Sequence, residues 1–313
     1  MNYKGTREAA AAAVTELAAD DKRIVFVSAD SLKAMRATKF AELYPERYVE
    51  CGISEQGAVD TAAGLAACGK VPFVGTYAGF LTMRACEQMR TFVAYPNLNV
   101  KFIGINAGLI GGEREGVTHQ FYEDVGILSS MANITILTPA DAEQIHEAVK
   151  AAAQIEGPVY IRAGSGRESD VYPAGAPFSL DGFAVLRSFG KRALLLSSGY
   201  VLSRALKAAE LLHEKGIDIT AADVTIINNR KPEKLLELLA QYPCILTVED
   251  HNVNGGLGSF ISTLVCEHCP RPVQRIGLRD TFGESGAADA LADAYGFSAQ
   301  AIAERVEHML EEL

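Results

Sequence analysis

Short runs of β-branched and aliphatic residues recur along this chain, each parted from the next by a stretch with helical spacing, and no other feature restricts its fold as much. Residues 23–28 (RIVFVS), 71–76, 100–105, 134–137 and 158–162 have the length and composition of strands buried on both faces. Ala58, Ala62 and Leu65 share one face of residues 54–68, and Ile145, Ala148 and Ala152 share one face of residues 141–155. An alanine-rich helical stretch precedes the first run. Strand, helix and strand in that order predict an α/β fold built on a doubly wound, mostly parallel sheet.

The alternation fails over residues 164–182, GSGRESDVYPAGAPFSLDG, where four glycines and two prolines leave little apolar periodicity. It then resumes with strand-like runs at 193–196, 217–224 and 244–248 and helical stretches at 201–215, 232–241 and 258–266. The expected organisation is a first domain over 1–165, a linker over 166–187 and a smaller α/β domain over 188–313. The total length of 313 residues suits two domains, and no period suggests a repeat array.

Hydrophobic residues make up 49% of the chain and charged residues 22%, which rules out general disorder. A formal charge of −10 with no long basic run argues against a nucleic-acid or anionic-membrane surface. Residues 1–21 carry Lys4, Arg7, Glu8, Glu16, Asp20 and Asp21, charges that no secretory or membrane-spanning segment tolerates, so a cytoplasmic location is expected. The 6 cysteines do not form a secreted-type disulfide framework, and Cys266 and Cys269 lack the second ligand pair that a structural zinc needs.

Two phosphate-binding patterns fail on inspection. Gly64, Gly69 and Lys70 nearly spell a P-loop, but Val71 stands at the magnesium-binding position and the order is helix to strand, so Gly69 reads as a helix C-cap. No GxGxxG follows the first strand.

Three segments look chemical. In Cys51-Gly52-Ile53-Ser54-Glu55-Gln56-Gly57, Ser54 suits an N-cap and Glu55 falls in the first helical turn, where the helix dipole alone would justify a carboxylate. In Thr76-Tyr77-Ala78-Gly79-Phe80 a strand runs into two aromatics, which serve either as core or as a platform for a flat heterocycle. The third is the polar, glycine-rich stretch 108–120, which ends near His119. All three lie beyond the carboxyl ends of strands, where open α/β sheets bind ligands.

Taken in order, ISEQG, GTYAGF, RTFVAYPNLNVK, GVTHQ with Tyr122-Glu123-Asp124, ILTPADAEQ and the later VEDHNVNGGLGS resemble the C-terminal half of transketolases. The resemblance implies a thiamine-diphosphate enzyme with a pyrimidine-binding domain followed by a C-terminal domain. In the family the carboxylate matching Glu55 bonds the aminopyrimidine ring nitrogen and promotes the imino form, which deprotonates the thiazolium carbon. Phe80 matches the stacking aromatic and Tyr77 its companion, with Ile53 and Met83 as further cofactor-binding positions; Met83 replaces a common tyrosine. His119 matches a histidine near the reacting carbonyl, and Glu55 and His119 are the implied catalytic pair.

Arg7, Asp30, Glu115 and Arg162 are the implied substrate-binding residues, the two arginines matching groups that can contact a sugar phosphate. A surface or inter-domain salt bridge is the other reading for each arginine. Ala107 sits near a position often held by a substrate-binding histidine, and the loop over 111–115 carries Arg114 between two acids.

The family holds the diphosphate through Mg2+ with a GDG motif and a downstream Asn, and no GDG occurs in this sequence. The resemblance is therefore to the C-terminal subunit of a split transketolase, with no metal ligands expected in this chain and thiamine diphosphate and Mg2+ held mainly by a separate N-terminal subunit, in an α2β2 assembly. Ketol transfer between sugars or sugar phosphates is the implied reaction. A 1-deoxyxylulose-5-phosphate synthase, the beta subunit of a 2-oxoacid dehydrogenase and a non-catalytic scaffold subunit are the alternatives.

Overall fold

A computed structural model describes residues 3–111 and 115–313; Gly112, Glu113 and Arg114 of the polar loop lie outside the described residues. The first half runs through α1 (Thr6–Asp20), β1 (Ile24–Ser28), α2 (Thr38–Leu43), β2 (Tyr48–Glu50), α3 (Glu55–Ala67) and β3 (Val71–Tyr77). A wide helix follows, made of two π turns, Phe80–Arg84 and Met89–Ala94, joined by α4 (Cys86–Gln88). After it come β4 (Lys101–Ile105), α5 (Asp124–Ser129), β5 (Thr135–Leu137), α6 (Ala142–Gln154) and β6 (Val159–Arg162).

The second half contains β7 (Ala184–Ser188), β8 (Leu194–Ser197), α7 (Leu202–Glu214), β9 (Thr220–Asp223), β10 (Ile226–Ile227), α8 (Glu233–Leu239), β11 (Ile245–Asn252), α9 (Leu257–His268), β12 (Val273–Leu278), α10 (Ala288–Ala294) and α11 (Ala299–Glu311). A 7-stranded sheet has the order β10-β5-β6-β4-β3-β1-β2, and a 5-stranded sheet the order β12-β11-β8-β9-β7. Every pairing is parallel except β10 with β5 and β7 with β9. The described chain is thus the expected pair of mostly parallel α/β sheets. None of its helices is long and apolar enough to cross a membrane.

Burial explains the uninterrupted apolar runs. Every residue of β1, β4, β6 and β8 is buried, because helices cover both faces of each sheet. One core packs α1 and α6 against β1, β3, β4 and β6. Another lies under α3 and the wide helix and continues into residues of the second sheet, including Leu194, Leu196, Ala222 and Ile245.

Two details depart from the sequence reading. Strand β7 occupies the end of the stretch read as linker, because Val185 pairs with Ala222 as an antiparallel edge of the second sheet. Strand β10 leaves the second half to pair Ile226 with Leu137 at the edge of the first sheet, so the second half is not self-contained. Both strands are short and lie at sheet edges, where periodicity is weakest.

Lys101 is fully buried at the start of β4, and its Nζ donates to the carbonyl oxygens of Ile155 at 2.5 Å and Gly157 at 2.7 Å. Burial pulls its ammonium down to about 7 from an ordinary 10.5, with Glu156 opposing. Between those values the unfolded chain binds more protons, so this residue's contribution to stability grows with pH and is lost as pH falls through about 7. Urea midpoints taken at about pH 7.5 and about pH 9.5 should therefore move up for wild type relative to Lys101→Met. A constant difference between the two proteins would refute this linkage.

Candidate functional site

The carboxyl ends of β1, β2, β3, β4 and β6 deliver the candidate residues to one edge of the larger sheet. Glu50, at the end of β2, ties that edge together: its Oε1 accepts from the backbone N–H of Asp30 at 2.7 Å and of Gly52 at 2.9 Å, and its Oε2 from the Tyr48 hydroxyl at 2.5 Å. Burial works to raise this carboxyl, but the Tyr48, Asp30 and Gly52 bonds outweigh it and hold it below the usual range. Asp30 turns away from β1 with φ 48 and an exposed side chain.

Glu55 opens α3 as expected, and the residue is 6% exposed. Ser54 occupies the N-cap position without a side-chain cap bond, so the anticipated capping interaction is absent, although its carbonyl accepts from Ala58 N–H at 2.9 Å. The bond that Glu55 does make is with Arg84 Nη1, 3.2 Å from Oε1. The Arg84 guanidinium also lies 3.8 Å from the Phe80 ring centroid. Ile53 and Met83 are exposed at 77% and 44%, Ile53 just before α3 and Met83 in the first π turn.

Tyr77, Phe80 and His119 form one wall. The His119 ring is edge-on to Tyr77 at 4.7 Å and to Phe80 at 5.3 Å, and Phe121 supports Phe80 at 5.6 Å. Burial raises the Tyr77 hydroxyl, with Glu115 adding and Arg7 opposing.

Arg7 reaches this edge from the first turn of α1 and donates to Asn106 Oδ1, while Asn106 Nδ2 donates to Glu115 Oε2 at 3.0 Å. Burial, reinforced by Arg36, lowers the Arg7 guanidinium against the pull of Tyr77, Glu115 and Glu168. A cavity of about 360 Å³ opens beside it, lined by Lys4, Gly5, Arg7, Glu8, Arg36, Ser165 and Gly166. Arg7 Nε and Ser165 Oγ are buried there without a hydrogen-bond partner among the described residues.

Arg162 does not join this group. Its Nε donates to Asp124 Oδ2 at 2.9 Å and its Nη2 to the Asp250 carbonyl at 2.9 Å, all in buried surroundings. The structure therefore corrects the reading of Arg162 as a substrate residue in favour of the salt-bridge reading: its charge is consumed between the two sheets. Burial works to lower its affinity for the proton, but Asp124 outweighs that and raises it.

Residues 3–166 match the family described as the pyrimidine-binding domain of transketolase, and residues 182–302 match the transketolase C-terminal domain. This chain belongs to the transketolase family. It is 34% identical over 296 residues to a 6-deoxy-6-sulfo-D-fructose transketolase subunit, SqwH, of Clostridium sp. (strain MSTE9), covering 95% of this chain and 91% of that one. It is 33% identical to a 1-deoxy-D-xylulose-5-phosphate synthase of Caldanaerobacter subterraneus subsp. tengcongensis, covering 96% of this chain and 48% of that one. A solved split-gene transketolase, described as an inactive beta4 tetramer, superposes with a TM-score of 0.88 at 35% identity, with 98% of each chain covered. Family membership implies dependence on thiamine diphosphate.

Arg84, Asn106 and Glu50 were not singled out from sequence. Arg84 is 29 positions from Glu55 and meets it because the end of the first π turn is held against the start of α3, where Gln56 Nε2 also donates to the Arg84 carbonyl at 3.1 Å. Asn106 stands directly after β4 with φ 56, a conformation asparagine tolerates better than most residues, so an asparagine closing the apolar run 100–105 is the local sign of it.

The aromatic wall of this transketolase-family chain depends on Gly79: a Cβ there would fall 1.7 Å from Phe121 Cδ1. Gly79→Ala should therefore displace Phe121 and cost about 1–3 kcal/mol in urea denaturation. Unaltered stability would show that the ring has room the structure does not reveal.

Proposed function

We propose that this chain is the C-terminal subunit of a split transketolase, moving a two-carbon ketol unit from a ketose or ketose phosphate to an aldose. A separate N-terminal subunit would hold the diphosphate and Mg2+, in an α2β2 assembly. The observation that carries the reading is one buried acid, Glu55, joined through the Arg84 guanidinium to Phe80 in the wall of Tyr77, Phe80 and His119.

These residues fit the aminopyrimidine half of thiamine diphosphate. The acid is shielded from water and its one hydrogen-bond partner among the described residues is Arg84, whose side chain is 47% exposed. Because Arg84 lies half in solvent, its guanidinium can swing away and leave the Glu55 carboxylate to a ring nitrogen. When bound, the cofactor would supply a thiazolium carbon that becomes nucleophilic once it gives up its proton to the aminopyrimidine, and a ring able to take up the electron pair released on C–C cleavage. Glu55 holds the proton at the pyrimidine ring nitrogen. Phe80 and Tyr77 exclude water and give the ring an aromatic wall. His119 donates a hydrogen bond where oxyanion charge develops on the substrate carbonyl.

The acceptor or donor sugar carries an anionic end in this reading. Lys4, Arg7 and Arg36 outnumber Glu8 in the adjoining cavity, and the unpartnered Arg7 Nε and Ser165 Oγ offer two donors to it. Asp30 and Glu115 are suited to accept hydrogen bonds from sugar hydroxyls at the same edge. The subunit description of the Clostridium relative and the split-gene description of the solved transketolase support a partner chain.

With the partner subunit, Glu55→Gln should lose about 10²-fold or more in turnover while the assembly elutes unchanged in size-exclusion chromatography. Unchanged turnover would favour a scaffold role. The similarity to a 1-deoxyxylulose-5-phosphate synthase makes pyruvate the informative second donor: release of CO2 from pyruvate in place of transfer from ketoses would replace the ketol-transfer reading.

A further inference from the structure

The loop that carries Glu115 and His119 leaves β4 of the first sheet, yet its root is held by the second half of the chain. Leu109 and Ile110 are fully buried within the core that fills the second sheet. Leu109 N–H donates to Asp250 Oδ1 at 2.8 Å and Ile110 N–H to Asp250 Oδ2 at 3.1 Å. The carboxylate comes so close that a Cβ on Gly108, where φ is +93, would lie 2.1 Å from Oδ2. Only glycine permits both that conformation and that approach.

The returning limb is anchored by the same half. Gln120 Nε2 donates to the Glu284 carbonyl at 2.8 Å, and the Tyr122 carbonyl accepts from Asn252 N–H at 2.7 Å. The two limbs are tied by Gly108 N–H to the Phe121 carbonyl at 2.6 Å. His119, between these anchors, touches the first sheet's aromatics only through ring edges. Such contacts are soft in direction, whereas two buried charge-assisted bonds to consecutive N–H groups define a position.

We propose that Asp250 is a positioning residue for His119: by gripping the N–H groups of Leu109 and Ile110, its carboxylate sets where the imidazole stands against Tyr77 and Phe80. The second half of the chain then contributes to turnover without touching substrate or cofactor. The proposal rests on the reading of His119 as a group acting at the substrate carbonyl.

A double-mutant cycle in the assembled enzyme tests it, supported by hydrogen exchange on the full chain. Asp250→Ala should speed exchange of peptides spanning residues 107–122 while leaving 71–77 unchanged, and should lower kcat by about tenfold or more with donor KM within about threefold. Asp250→Asn keeps an acceptor for one N–H and should recover part of both effects; it also serves if the alanine variant does not fold. In a His119→Ala background, itself impaired, Asp250→Ala should cost little more. A full, additive loss there, or unchanged exchange of the loop, overturns the positioning role. Unchanged turnover in His119→Ala alone overturns the reading of the imidazole and this proposal with it, even if loop exchange still responds to Asp250.

Discussion

A guanidinium buried between two sheets must be neutralised and hydrogen-bonded by its surroundings, and at Arg162 those surroundings come from both halves of the chain. Asp124 at the start of α5 supplies the counter-charge, and the backbone of Asp250 in β11 supplies a carbonyl. Tyr160 donates to the same Asp124 carboxylate at 2.7 Å. Removing one member of such a buried pair typically costs about 3–5 kcal/mol, because the other charge is left uncompensated. The network therefore fixes how the second sheet meets the first more than it adds to net stability.

Around that joint the motif VEDHNVNGGLGS acquires a physical account. Glu249 accepts from Gly258 N–H at 2.9 Å at the start of α9, and burial pushes its carboxyl up to about 7. Asp250, raised by burial to about 6 against the pull of Arg162 and the Leu109 and Ile110 N–H groups, grips the loop after β4. Burial brings His251 down to about 4, so it is neutral at pH 7. Its Nδ1–H donates to the Asn252 carbonyl at 2.6 Å and its Nε2 accepts from Gly126 N–H at 3.3 Å. Neighbouring residues of one strand thus serve a helix cap, a loop anchor and an inter-half contact in turn.

The candidate site follows from the direction of the strands. Because β1 to β4 and β6 run parallel, their carboxyl ends gather loops that are far apart in sequence at one edge, and every polar candidate except Arg162 stands there. Arg162 ends a strand at that same edge but turns toward the second sheet, where Asp124 claims it. Position along a strand says which edge a residue reaches; which neighbour captures its side chain depends on what packs against that edge.

The parallel α/β architecture is legible in the residues alone, since buried apolar runs such as residues 23–28 and 158–162 suit strands covered on both faces, and so is the family, through motifs whose order and spacing need no structure. The sequence also marks Glu55, Tyr77, Phe80 and His119, because each lies next to a local signal: a helix start, a strand end, a glycine-rich loop. Packing of distant segments settles that Arg84 meets Glu55, that Arg162 is spent between the sheets, that β10 crosses to the first sheet and that Asp250 holds the root of the loop that carries His119. Those outcomes depend on contacts between segments 29 to 141 positions apart. Local propensity and periodicity describe a segment's own conformation, and they are silent about which distant charge it will meet.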